Sequence, residues 1–259
     1  LRPIAVEPDG SVLIASLNLY RVSVQDWRAA WGKAGGKIAL KSVLTRKQVG
    51  GEILAVVRRP EDGVYWMSCG MELCRMGTNG EIRHFGKADG LPESRWYDVT
   101  SDRKGNLYAR GLKAVAVLRA GASRFEVLSD IKDLHTLRRG RLTVDRDGML
   151  LVPGNDALHT WNGAKWSIVG PRNGWPEIGT HDALEDREGG VWVATAGMGI
   201  IRWIGRREWR NYGAAEGLED PTVWSVKRFR SGLWVGCENG LYLGRESTDA
   251  EGLRFKSVG

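Results

Sequence analysis

The segment Glu185-Asp186-Arg187-Glu188-Gly189-Gly190-Val191-Trp192-Val193-Ala194-Thr195, followed by Gly199-Ile200-Ile201-Arg202, decides the fold. It reads as an acidic turn, a short apolar strand closing on a small residue, and a second strand opened by glycine. The pattern recurs: Leu13, Trp66, Tyr108, Leu151 and Trp234 stand where Trp192 stands, at successive intervals of 53, 42, 43, 41 and 42 residues. A near-constant period of this size is the mark of a repeat array.

Working outward, each unit supplies four strand-sized runs bounded by turn residues. In the second these are Ile53 to Val57, Val64 to Cys69, Leu73 to Arg75 and Ile82 to Phe85. A second register runs through the fourth strands, where an apolar residue is followed three later by another and eight later by a turn position: Ile82, Phe85, Gly90; Phe125, Leu128, Asp133; Trp166, Val169, Gly174; Trp209, Tyr212, Gly217. Helical periodicity is nowhere sustained. The longer first interval places about ten extra residues at Gln25 to Lys37, with Trp27 and Trp31, read as a long hairpin tip or a short helical insertion.

A four-stranded antiparallel unit has two faces to cover, because successive side chains point to opposite sides. Stacking units face to face covers both and protects the strand edges. The expected fold is therefore all-β, a β-propeller of four-stranded antiparallel blades with six blades in this chain, part of a seven-bladed ring being the alternative. A single propeller domain over 1-259 is expected, its blades at about 1-50, 51-94, 95-138, 139-178, 179-221 and 222-259. The aromatics Trp66, Tyr108, Trp192 and Trp234 should pack between blades, each burying on the order of 150–250 Å², worth ~4–6 kcal/mol before entropy. Asp102, Asp145 and Asp186, before Gly105, Gly148 and Gly189, should cap turn amides.

Composition removes several function classes. The net charge of +7 comes from 38 basic residues scattered among 31 acidic ones, without the clustered footprint of a nucleic-acid binder, so nucleic acid is not an expected partner. Cys69, Cys74 and Cys237 are an odd number without metal-ligand spacing, which indicates neither a disulfide framework nor a zinc site; they read as small strand residues, and no metal or cofactor is expected. No run of 18 apolar residues offers a membrane span. The chain opens with Leu1 rather than Met, and is expected to be a piece of something longer.

The motifs Trp209-x-x-Tyr212, Gly217-Leu218, Gly90-Leu91-Pro92, Asp102 with Gly105, Val191 to Thr195, Trp234-Val235-Gly236 and Gly240-Leu241 resemble the two-component regulator propeller repeat. The resemblance covers nearly the whole chain and is weakest in the first repeat. It implies a sensory propeller of hybrid histidine kinases or diguanylate cyclases, the periplasmic or extracellular part of an inner-membrane receptor, with signalling domains of the same polypeptide as partners. The family usually builds seven blades per ring, whereas six motifs are legible here.

In propellers, the loops entering each blade and those between its second and third strands gather at one mouth, and concave surfaces of this kind are where ligands bind. Residues there that break the repeat are the candidate ligand contacts: Arg95, Trp96, Trp175, Glu177, His181, Asp220, Trp224 and Asn239. Aromatic rings beside charges suit a saccharide or an aromatic metabolite. No catalytic residue is assigned, since the carboxylate pairs Glu185-Asp186 and Glu219-Asp220 alternate across strands. The functional expectation is a ligand-sensing module for a small molecule, without catalysis of its own. A propeller lyase or hydrolase using His181, His135 or His159 is one alternative. A protein-interaction platform at the Trp27 and Trp31 insertion is another, and homodimerisation stays open.

Overall fold

The computed structural model describes residues 4–30, 38, 40–112, 114–128, 140–154, 157–175, 178–204, 208–229, 232–247 and 252–258. Its strands form six four-stranded antiparallel sheets, each built from four strands consecutive in the chain. The first sheet holds β1 (Ile4–Val6), β2 (Val12–Ser16), β3 (Asn18–Val22) and β4 (Lys41–Leu44), and the second holds β5 (Val56–Arg58), β6 (Tyr65–Cys69), β7 (Glu72–Met76) and β8 (Ile82–Phe85). The third contains β9 (Trp96–Ser101), β10 (Leu107–Gly111), β11 (Val115–Leu118) and β12 (Glu126–Val127). The fourth contains β13 (Thr143–Val144), β14 (Leu150–Pro153), β15 (Leu158–Trp161) and β16 (Trp166–Val169). The fifth has β17 (Thr180–Glu185), β18 (Val191–Thr195), β19 (Ile200–Ile204) and β20 (Glu208–Tyr212), and the sixth β21 (Val223–Phe229), β22 (Gly232–Cys237), β23 (Leu241–Glu246) and β24 (Leu253–Ser257). The architecture is a six-bladed β-propeller. The insertion includes a helix, α1 (Val24–Ala30); Trp31 and the Trp27 side chain lie outside the described residues.

The chain divides into two compact units, Arg2–Lys132 and Asp133–Gly259 with Leu1, each carrying three blades. Inside either unit the blades stack by the same rule. First strands neighbour first strands (β1 on β5 on β9; β13 on β17 on β21), and the second strand of one blade faces the first strand of the next (β6 on β9, β14 on β17, β18 on β21). Between blades lie four apolar clusters. Trp66, Phe85, Leu91 and Trp96 sit between the second and third blades, Trp192, Tyr212, Leu218 and Val226 between the fifth and sixth. Met67, Cys69 and Cys74 pack on Leu13 and Leu19 of the first blade, and Leu151 and Trp175 pack on Val193 of the fifth. Trp66, Tyr108 and Trp192 are 2%, 5% and 1% exposed, as their repeat position predicts; Trp234 is half-buried.

The turns between first and second strands explain the recurring aspartate. Asp186 Oδ1 accepts from the amides of Glu188 (3.0 Å) and Gly190 (2.7 Å). Asp102 Oδ1 accepts from Lys104 (2.9 Å) and Asn106 (2.8 Å), and Asp145 Oδ1 from Asp147 (3.0 Å) and Met149 (2.8 Å). The second carboxylate oxygen reaches into the blade: Trp192 Nε1 donates to Asp186 Oδ2 at 2.9 Å, and Tyr108 donates to Asp102 Oδ2 at 3.3 Å. Arg202 adds two bonds to Asp186 Oδ2, at 2.9 and 2.5 Å, and its guanidinium lies over the Trp192 ring.

After the fourth strands, three 3-10 turns (Lys87–Asp89, Pro171–Asn173, Ala214–Glu216) end on left-handed Gly90, Gly174 and Gly217. The next residue of each, Leu91, Trp175 and Leu218, is at most 2% exposed. Glycine is required at Gly217 on two counts: its φ is +87°, and a Cβ there would fall 2.4 Å from the carbonyl oxygen of Phe255.

One sequence expectation is corrected. Cys69 and Cys74 are joined by a disulfide. Cys69 pairs with Glu72 and Cys74 with Met67 across the β6–β7 hairpin, so the two thiols are diagonal neighbours on one face, a relation that intervals along the chain do not display. Cys237 is not disulfide-bonded.

Two stability predictions follow from these contacts. Burial pushes the Asp186 carboxyl up, but the Arg202 guanidinium, the Gly190 amide and the Trp192 indole overcome it and hold the group below its ordinary 3.8. A depressed carboxyl contributes stability that is full above its unfolded value and is lost as pH falls through its folded one. Asp186→Ala should therefore cost about 3 kcal/mol at neutral pH, because it strands a largely buried guanidinium. Denaturant melts should show wild type and variant converging below pH 3.8. Gly217→Ala should lower the thermal midpoint by about 4 °C or more, from a left-handed strain of roughly 1–2 kcal/mol added to the clash, as calorimetry would read.

Candidate functional site

In three blades the first strand is interrupted near its start. In β17 the pairing with β18 jumps from Thr180 to Asp182, leaving His181 as the extra residue. In β21 it jumps from Val223 to Ser225, leaving Trp224, and in β9 from Trp96 to Asp98, leaving Tyr97. A bulge frees one side chain from the alternation of the strand and re-aims it. His181, Trp224 and Tyr97 thus occupy one repeat position that the core does not dictate.

In the Asp133–Gly259 unit two of these bulges meet. The His181 and Trp224 rings lie 4.3 Å apart between centroids at 42°. His181 is 3% exposed, whereas Trp224 is half-buried. The Trp224 indole donates to Glu238 Oε2 at 2.5 Å, placing an exposed carboxylate from the β22–β23 turn at the edge of the ring. That turn is anchored by Asp220, whose Oδ1 accepts from the Thr222 amide (3.0 Å) and whose Oδ2 accepts from the Asn239 amide (2.7 Å). Asp220 is 7% exposed; Asn239 is exposed at the turn tip.

Asp182 lies beneath the pair, 0% exposed. Its carboxylate accepts from the Ala183 amide (3.0 Å) and from the Val226 amide of the next blade (3.3 Å). The Lys227 ammonium stands 3.8 Å from Asp182 Oδ2, with its side chain half exposed. Asp182 therefore ties β17 to β21 and lies within ion-pair reach of Lys227. On β22, burial first and the Asp220 charge second push the Cys237 thiol up to about 12, which keeps it protonated and unreactive at neutral pH. The ensemble offers an aromatic face, a carboxylate acceptor and an ammonium donor, which suits a ring-bearing polar ligand.

The corresponding place in the other unit is occupied by charge. Arg95 is ion-paired with Glu52, its guanidinium 5.8 Å from the Tyr97 ring centroid, and its carbonyl accepts from the Leu112 amide at 2.9 Å.

Of the residues expected at the mouth, His181, Asp220, Trp224 and Asn239 are brought together, Arg95 belongs to the second location, and Glu177 lies outside the described residues. Trp96 and Trp175 have packing positions. Trp96 stands just before its bulge, where the equivalent Thr180 and Val223 are likewise 0% exposed. Trp175 follows its turn glycine as Leu91 and Leu218 do. Both are in register with core positions other than the second-strand aromatic, so aligning the repeats at Gly-Leu and at the first strand would have found them. Tyr97, Lys227 and Glu52 were not singled out from sequence. Tyr97 could have been, because it precedes Asp98 as His181 precedes Asp182. The histidines His135 and the stretch to Arg139 lie outside the described residues; His84 and His159 are on β8 and β15.

No protein-family model and no curated protein matches this chain. Among solved structures, it is similar to selenomethionine-substituted virginiamycin B lyase from Staphylococcus aureus, at 14% identity and a TM-score of 0.73 over 99% of this chain and 84% of that one. A catalytically inactive form of that lyase, with alanine in place of a histidine and solved with quinupristin, gives 14% identity and a TM-score of 0.75 over 99% and 84%. The extracellular domain of a putative hybrid two component system from B. thetaiotaomicron gives 12% identity and 0.68 over 99% of this chain and 39% of that one. Among the described residues no helix is long and apolar enough to cross a membrane. At such identities the likeness is one of fold, and the propeller of this chain resembles the extracellular domains of hybrid two-component systems as well as a lyase.

Proposed function

We propose that this chain is the ligand-sensing propeller of a bacterial signal-transduction protein, situated outside the cytoplasm and binding a small polar ring compound, a saccharide among the candidates. The observation that carries the reading is the meeting of two bulged side chains, His181 and Trp224, at the loop end of neighbouring blades, with Glu238 bonded to the Trp224 indole and Lys227 paired with Asp182, the residue after His181. The recurring motifs are spent on turns and packing, and the bulges are where the repeat is free to vary. Similarity to the extracellular domain of a hybrid two component system supports the sensory role. Attached signalling domains of the same polypeptide would read the ligand through its different affinity for two arrangements of the receptor.

A thermal-shift screen of neutral and acidic saccharides and aromatic metabolites tests the reading. A ligand at about 100-fold excess over its Kd adds ~2.7 kcal/mol, a rise of roughly 5–10 °C for a chain of this size. Trp224→Ala should abolish that rise while leaving the ligand-free midpoint within about 2 °C, since its ring is half-buried. A hit that survives both Trp224→Ala and Lys227→Ala would place the ligand elsewhere.

A lyase is the second reading, favoured by one observation: a histidine, His181, lies at the candidate site of a chain that shares its fold with an enzyme whose histidine-to-alanine form is inactive. Incubation with quinupristin followed by mass spectrometry separates the two. The sensory reading expects a compound unchanged in retention time and fragmentation, whereas a new product species that is lost in His181→Ala would make the chain an enzyme.

A further inference from the structure

The β6–β7–β8 face of the second blade gathers four groups that bind metals. Antiparallel pairing sets Cys69 opposite Glu72, Cys74 opposite Met67, and Cys74 opposite His84. Paired residues share a face, so Cys69, Glu72, Cys74 and His84 all project to one side. One ligand atom from each of Cys69, Cys74 and His84 lies within 4.8 Å of the others. The His84 ring is 3.5 Å (Nδ1) and 3.8 Å (Nε2) from Cys74 Sγ, and its Nδ1 is 2.9 Å from Glu72 Oε2.

We infer that the Cys69–Cys74 disulfide masks a metal site: once it is reduced, the two thiolates and His84 Nε2 bind a thiophilic divalent ion of the Zn²⁺ class, with Glu72 orienting the imidazole. Tetrahedral zinc with Zn–S of about 2.3 Å and Zn–N of about 2.0–2.1 Å has S···N edges of roughly 3.6 Å and S···S edges of about 3.8 Å. The Cys74 to His84 separation already fits such an edge, and only the sulfurs must part. A ligating histidine ordinarily directs its other ring nitrogen to a carboxylate, the relation Glu72 has to Nδ1. Sulfur and imidazole donors select zinc-like ions over calcium or magnesium. The cysteines are buried, at 3% and 0% exposure, while His84 and Glu72 are exposed and give the ion its entry.

The chemistry balances as thiol–disulfide exchange followed by ligation. An external dithiol supplies two electrons and two protons: its own sulfurs form a disulfide as the Cys69–Cys74 bond breaks, giving two thiols. Zn²⁺ then displaces up to two protons as both sulfurs coordinate as thiolates. The blade thus has two closed states, one clipped by a disulfide and one by a metal, chosen by the thiol redox balance around it.

The test uses the full chain carrying Cys237→Ser, which removes the remaining thiol. Reduced and oxidised protein are titrated with Zn²⁺ against a chromophoric chelator and with Co²⁺ by absorption. The reduced chain should bind one equivalent and show a thiolate-to-cobalt charge-transfer band, and the oxidised chain should bind none. Glu72→Gln should weaken binding about 10–100-fold, and His84→Ala by at least as much. Both sites are exposed and leave the disulfide intact, so their oxidised melting points should match the parent. The inference is overturned if the reduced chain takes up no stoichiometric metal, if binding persists in the Cys69→Ser, Cys74→Ser double variant, if His84→Ala leaves the affinity unchanged, or if reduction removes the β-sheet circular dichroism and Zn²⁺ does not restore it.

Discussion

In the third, fourth and fifth blades the structure depends on one carboxylate, the aspartate at the turn between first and second strands. Its first oxygen collects the amides of the turn; the buried one, of Gly190, would otherwise lack an acceptor at a cost of about 1–3 kcal/mol. In the third and fifth blades its second oxygen binds the polar tip of the second-strand aromatic, at Tyr108 and Trp192. A single side chain thus fixes the reversal of the chain and holds the polar tip of a buried ring. In the fifth blade that ring, Trp192, packs against the sixth, so turn formation and blade stacking are coupled at Asp186, and Arg202 reinforces the coupling.

Blade stacking in turn leaves the first strands with a problem. They neighbour one another at close quarters, and a fully regular strand would commit every side chain to one of two packed faces. The bulges at Tyr97, His181 and Trp224 relieve this by giving each of three first strands one residue outside the alternation. Asp182 shows the structural return on that irregularity, since its carboxylate reaches across to the Val226 amide of the next blade. The joint between these first strands is thus made by the carboxylate, while the bulged His181 and Trp224 rings meet each other.

The second blade departs from the others in chemistry. Where the neighbouring first and third blades close the second strand with Ser16 and Gly111, this one carries Cys69, and its third and fourth strands add Cys74 and His84. The sixth blade has a single thiol, Cys237, at the position of Cys69, so two thiols and an imidazole on one pleated face are not demanded by the propeller.

The sequence by itself determined the repeat, the number of strands per blade, the turn aspartates and the burial of Trp66, Tyr108 and Trp192. All of these are local patterns repeated at a constant interval, and periodicity is a property of the chain. Trp96 and Trp175 were visible too, but only with the repeats aligned at more than the second-strand aromatic. The tertiary structure alone decided that His181 meets Trp224, that Lys227 stands by Asp182, and that Cys69 reaches Cys74. The reason is physical: a bulge shifts register by one residue, which reverses the face of a side chain, and cross-strand neighbours are set by pairing rather than by intervals along the chain.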